Sequence, residues 1–358
     1  MLAKERILGL FEGKPVDRVA CFSGTGTVWG QALKEYGYTF AEVHGSAEQL
    51  ARVAAFPAQA YGYECAVVPF DLCTEAEVLG CATNFYPHQT RPLYPKVVRQ
   101  VICSENDLLH LSIPEKVANL GRVPVVTEAI QRLKDLVGHK VPVGSHVLGP
   151  YTLAGQVMDL NSLLRLTIRK PEKVLDLLAR LTELINQICI CYVEAGVDYL
   201  TVREMGATTD ILPPQIFTKL IKPHLKNIFE NIQAPKILHI CGGSLPIISE
   251  MLACGASAIS IENKNALAQT RARAGSEPLI FGNLDGYGVI VDGTPDEVGA
   301  AVIRCLEEGS DGIWPSCEIS LAAPKNNLAA MIEATKNYGG KLWFRKNFCT
   351  KNKLGAKK

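Results

Sequence analysis

Neither an excess of charge nor a long apolar run marks this sequence. Its 358 residues carry 37 basic and 36 acidic side chains, a formal net charge of +1. A sequence-independent nucleic-acid binder needs a basic face to displace counterions from phosphates, so that class is excluded. No stretch of 18 apolar residues free of charge occurs, which argues against a membrane-spanning helix. The first residues, MLAKERILGLFEGKPVDR, carry charge throughout and lack the apolar core of a secretory signal, so the expected location is cytoplasmic. No Pro/Gly/Ser linker divides the chain, and its 12 cysteines show no disulfide framework spacing. Each cysteine therefore reads first as a small buried hydrophobe, as Cys189, Cys191, Cys254 and Cys305 do in apolar helical patterns.

What is there is alternation. Short β-branched or apolar runs at 19–22, 65–70, 141–148, 198–204, 236–241, 257–262, 278–283 and 311–317 read as eight strands. Helical patterns at 46–61, 106–136 (two helices), 171–195, 214–232, 246–253, 266–274, 295–308 and 324–337 separate most of them. Thr294 ahead of Pro295 is a helix-start signature. Eight βα units predict an α/β fold, a closed (β/α)8 TIM barrel with an N-terminal helical extension. One barrel domain is expected over 1–345, followed by a basic C-terminal tail, 346–358.

A barrel gathers its chemistry at the C-terminal ends of its strands. The ends expected here read Asp71, Glu204, His239 with Cys241, Glu262, Asp285 and Cys317. His239 and Cys241 stand two residues apart in LHICGGS, on one face of a strand, and Cys317 in IWPSCEIS ends the last strand at the same mouth. One nitrogen and two sulfur donors suit Zn2+, and three ligands with an open position are the pattern of catalytic zinc. Glu204 or Glu262 would fill the fourth position, or each is a solvated or salt-bridged carboxylate. Gly242 and Gly243 leave room for a substrate near backbone amides. Two thiolates make zinc a weak activator of water but a good holder of a substrate thiolate, so alkyl transfer to sulfur is expected ahead of hydrolysis. Arg203 would neutralise an acceptor anion or pair with a neighbouring carboxylate, and Glu204, Glu262 or Asp285 would take a proton or shape the mouth.

At these residues the chain resembles the uroporphyrinogen decarboxylase superfamily, and within it the methylcobamide:coenzyme M methyltransferases. The matching stretches are KERILGLFEGKPVDRVA, YGYECAVVPFDLCTEAEVLGC, LHICGGS, the run from FGNLDGYG to IWPSCEIS, and NNLAAMIEA. The resemblance implies zinc on His239, Cys241 and Cys317, and a pocket role for Asp71, which otherwise caps the helix after it. It implies a methylcorrinoid carried by a partner corrinoid protein, since no DxHxxG motif is present. The acceptor would be coenzyme M or tetrahydrofolate. A donor-side enzyme taking methyl from a methoxy or methylamine compound onto Co(I) is the alternative; an aromatic mouth, with Phe22, Trp29, Phe70 and Trp314 as candidates, would favour it. Decarboxylation is disfavoured because FSGTGTVWGQAL (22–33) lacks the arginines that grip a porphyrinogen. One departure is PSCE (315–318) where these methyltransferases have PGCG, which sets Glu318 beside the metal.

Overall fold

In a computed structural model, which describes residues 1–338 apart from Thr90, the eight expected runs form one parallel sheet. Its strands are β1 (Ala20–Cys21), β2 (Ala66–Val68), β5 (Val143–Leu148), β6 (Tyr199–Arg203), β7 (Lys236–Ile240), β8 (Ala258–Ile261), β9 (Leu279–Phe281) and β10 (Gly312–Ile313). The order β1-β10-β9-β8-β7-β6-β5-β2 curls the sheet round until β1 faces β2. There the Glu64 amide donates to the Cys21 carbonyl, and the Thr27 amide to Val67, in place of a ladder. The result is the expected (β/α)8 barrel. All six residues of VGSHVL and all five of YLTVR are buried, as strands covered on both faces by helices and barrel interior must be.

The strands are shorter than the apolar runs, for local reasons. Pro69 cannot donate to a ladder and stops β2, and Pro142 delays β5 to Val143. The last run keeps only Gly312–Ile313 plus one bridge from Leu284 to Pro315, so Cys317 lies in the loop beyond it. The stretch 106–136 divides as expected into Asp107–His110 and Val123–Leu136. The stretch 214–232 is one unbroken helix over residues 214–231, widened to π-type turns at Phe217–Ile221 just ahead of Pro223. Thr294 caps Pro295–Glu307, its hydroxyl accepting from the Glu297 amide while the Glu297 carboxylate returns the bond. An antiparallel hairpin, β3 (Ala82–Asn84) with β4 (Lys96–Arg99), was not anticipated. Residues 346–358, the expected tail, lie outside the described residues.

An aromatic column fills the barrel and decides which end is open. Phe11, at the end of the N-terminal helix Ala3–Phe11, packs edge-on against Phe281 at 5.8 Å. Phe281 and Tyr199 flank Phe22, and Trp314 stacks on Phe281 at 5.8 Å with 13° between planes. His239 then stacks on Trp314 at 6.3 Å and 9°. Gly24 must lack a side chain, because a Cβ there would stand 2.0 Å from the Thr201 hydroxyl and 2.4 Å from the Trp314 ring. The column closes the barrel from below and leaves His239 on top.

Candidate metal centre

Register explains why the site assembles. Arg203, His239 and Ser260 are register partners across β6, β7 and β8, so they leave the sheet at one level and on one side. Two residues further along β7, Cys241 lies on the same face of the chain. Cys317 arrives from the loop after β10, where the Thr25 hydroxyl holds its carbonyl at 2.7 Å. The ligating atoms of His239, Cys241 and Cys317 all fall within 4.8 Å of one another. His239 Nε2 stands 3.0 Å from Cys241 Sγ, and the two sulfurs are 2.7 Å apart, well beyond a disulfide bond of about 2.05 Å.

Each donor is prepared by a neighbour. His239 is fully buried, and its Nδ1 lies 3.0 Å from the Ser260 hydroxyl. With the proton on Nδ1, Nε2 presents its lone pair to the sulfurs, the arrangement that orients histidine ligands in metal sites. Arg203 is 1% exposed; its Nη2 reaches Cys317 Sγ at 3.4 Å and its Nη1 reaches Glu318 at 2.8 Å. The hydrogen bond from Cys241, and then the charge of Arg203, hold Cys317 far below the usual thiol range, toward thiolate. The same contact and burial push Cys241 up. One imidazole nitrogen and two sulfurs, one of them already favoured as an anion, are a donor set that fits Zn2+.

The other expected residues take separate places. Glu262 stands beside Cys241 and accepts the Gly242 amide. Glu204 points the other way from Arg203, as strand alternation requires, and is fully buried. Its oxygens accept the amides of Tyr151 (2.9 Å) and Thr152 (2.7 Å) at the start of the helix Pro150–Val157. Of the two carboxylates expected at the metal, Glu204 is turned away and Glu262 accepts the amide next to Cys241, outside the group of three donors. Gly242 has φ +79°, and a Cβ there would meet the Thr208 hydroxyl at 2.4 Å. The Gly243 amide donates to Asp210 at 2.9 Å, so the loop 208–210 and Glu262 use the amides that the sequence reading left for a substrate. Asp285 shapes its own turn, accepting from Tyr287 and Gly288.

Asp71 belongs to a second buried cluster. Arg122 grips it with two bonds of 2.8 and 2.7 Å, His44 Nδ1 approaches at 3.0 Å, and the Cys73 amide donates at 2.9 Å. Despite full burial, the Arg122 charge holds its carboxyl well below the usual range. Arg203 thus has the paired-carboxylate role that the sequence allowed it, with Glu318 as partner. Sequence reasoning missed Ser260, Thr25 and Arg122. Ser260 had a signal, lying two residues before Glu262 on one strand; the others depend on contacts between distant segments.

Comparison with known proteins bears on this geometry. The description "Uroporphyrinogen decarboxylase (URO-D)" belongs to the family model that matches residues 2–338. The methylcobamide:CoM methyltransferase MtaA of Methanosarcina barkeri is 29% identical over 345 residues, covering 94% of this chain and 98% of its own. MtbA of Methanosarcina acetivorans, also a methylcobamide:CoM methyltransferase, is 28% identical with the same coverages. A solved structure described as a methyltransferase from Methanosarcina mazei superposes with a TM-score of 0.89, at 28% identity, over 94% of this chain and 99% of that one.

Proposed function

We propose that this chain, which belongs to the uroporphyrinogen decarboxylase family, is a methyltransferase that moves a methyl group from a methylated corrinoid on a separate protein to the sulfur of a thiol. The observation that carries the reading is the convergence of His239, Cys241 and Cys317 at the open end of the barrel. Zinc bound there would depress the pKa of a substrate thiol and hold it as thiolate at neutral pH.

The chain's own residues do the rest. His239, Cys241 and Cys317 would hold the metal with one position left for substrate. Ser260 fixes the imidazole, and Arg203 offsets the charge of Cys317 and of Glu318. Glu262, which accepts the Gly242 amide next to Cys241, would fill the fourth position or take the thiol proton. The aromatic column excludes water from beneath. In the overall exchange the thiol loses a proton, a sulfur–methyl bond forms, and the cobalt–methyl bond breaks with its electron pair left on cobalt as Co(I). Holding two large reactants in line is the entropic contribution of the barrel mouth.

The names of the relatives support coenzyme M as acceptor, ahead of tetrahydrofolate. Porphyrinogen decarboxylation finds no support in the site, because Asp71 is committed to Arg122 and His44, and Ser23, Gly24 and Thr25 are packed in the interior. Phe22, Trp29, Phe70 and Trp314 are all at most 1% exposed, so they do not form the aromatic mouth sketched for a donor-side enzyme. Among the described residues no helix is long and apolar enough to cross a membrane.

The test is the visible spectrum of methylcobalamin mixed with zinc-loaded protein. Loss of the methyl–cobalt band on adding coenzyme M is the expected result, and loss with tetrahydrofolate alone would move the acceptor to the folate. A band stable to both and to other thiols, also when the methyl group is presented on a corrinoid protein, would overturn methyl transfer to a thiol.

A further inference from the structure

A cavity of about 710 Å3 opens apart from the thiol cluster, none of whose residues lines it. Its walls are the helix Gly30–Tyr36 and the residues after it, the loop joining β3 to β4, and residues 320–322, which follow Cys317 in the chain. Six aromatic rings line it: Tyr38, Phe40, Phe85, Tyr86, Tyr94 and Tyr287. Among the described residues that line it, the charged ones are Lys34 and Arg91, and no carboxylate is present.

Tyr94 belongs to the aromatic wall. Its ring packs edge-on against Phe40 at 5.1 Å and 82°. Burial pushes its phenol up, and the charges of Glu318 and Tyr287 add to that rise. On the other side, a Cβ at Gly286, next to Tyr287, would stand 3.0 Å from the Glu318 carbonyl.

Pockets of about 300–1,000 Å3 with aromatic walls and a few placed charges accommodate ring-bearing ligands. A two-carbon thiol with a sulfonate would leave most of this one to water. Offset and edge-on ring contacts reward a planar aromatic body, and two cations without a carboxylate reward a negative charge. We propose that this cavity binds an aromatic anion, with its ring among Phe40, Phe85 and Tyr94 and its negative group toward Lys34 and Arg91. A part for this ligand in the reaction rests on the methyl-transfer reading; the ring site itself does not. The same chemistry has two sources, an aryl thiol that accepts the methyl group or an aryl methyl ether that gives it.

Calorimetric titration of the zinc-loaded full chain tests the site, using 3-mercaptobenzoate and 3-methoxybenzoate against cyclohexanecarboxylate and 3-methoxybenzyl alcohol. Both benzoates should bind at least tenfold more tightly than the two controls. Tyr94→Leu and Phe85→Leu, which keep bulk but remove the ring, should each weaken the benzoates about tenfold, while Tyr94→Phe keeps them. Arg91→Gln should narrow the preference for the acid over the alcohol. Benzoates no tighter than cyclohexanecarboxylate, or binding untouched by both leucine variants, would overturn the proposal. The methylcobalamin spectrum separates the two readings: benzoate binding without methyl transfer in either direction sinks the methyltransferase and keeps the ring site. Methyl transfer to coenzyme M without benzoate binding does the reverse. Consumption of the methyl–cobalt band by 3-mercaptobenzoate identifies the acceptor source, and its formation from Co(I) and 3-methoxybenzoate the donor source; either supports the site.

Discussion

Arg203 and Cys317 meet at 3.4 Å, nitrogen to sulfur, while the same guanidinium holds Glu318 at 2.8 Å. One buried cation thus serves a sulfur and a carboxylate that are neighbours in the chain. Sulfur and carboxylate would repel at this level of the barrel without it. Removing the cation, as in Arg203→Met, should cost about 3 kcal/mol of unfolding free energy, the scale of breaking a buried pair. Adding Glu318→Gln should recover part of that loss in denaturant unfolding. A double variant as unstable as the single one would show that Glu318 is not the group Arg203 compensates.

The protein should bind about one zinc per chain. Cys241→Ala and Cys317→Ala should each abolish stoichiometric binding. Ser260→Ala touches no donor atom, yet it removes the partner of His239 Nδ1 and should weaken zinc affinity about 10- to 100-fold. Competition with a chromophoric chelator reads all three. Full occupancy in either cysteine variant would sink the ligand assignment.

Asp71 is a test of pocket against framework. Its two bonds to Arg122 and the contact with His44 predict that Asp71→Asn lowers stability by about 3 kcal/mol, as expected for an unbalanced buried guanidinium. Zinc content should remain at the wild-type level, because Asp71 bonds to none of the three donors. A variant with native melting behaviour and lost activity would instead give Asp71 a direct part in the reaction.

Glu75 predicts a pH dependence. Burial raises its carboxyl to about 7 from an ordinary 4.5, although the Leu148 amide donates to it at 2.9 Å. A group raised in the folded state contributes stability that is complete below its unfolded pKa and is lost as pH climbs through the folded one. Between pH 4.5 and 8 this carboxyl should therefore withdraw about 3 kcal/mol. Glu75→Gln should flatten that part of the profile in denaturant unfolding at pH 5 and pH 8. Equal slopes for wild type and variant would refute it.

The repeating pattern of apolar runs and helical stretches was enough for the barrel, because strands covered on both faces must be apolar throughout and helices over them must be amphipathic. Residue spacing also brought out His239 and Cys241, since a step of two along a strand is a local property. Cys317 followed once the runs were read as barrel strands that share a mouth.

Long-range contacts decided the remainder. Glu204 and Glu262 look alike in sequence, and only strand facing separates the one tied to Tyr151 and Thr152 from the one beside Cys241. Ser260, Thr25 and Glu318 acquire their roles through partners 21, 292 and 115 residues away. The aromatic wall likewise comes from segments around 38–40, 85–94 and 287, while the rings that sequence favoured sank into the core. The sequence by itself determined a (β/α)8 fold and three soft donors at one end, because both depend on periodicity along the chain. Which carboxylate, which cation and which rings stand beside those donors was decided by tertiary packing, because side chains on neighbouring strands and loops meet through register and closure, which no local pattern encodes.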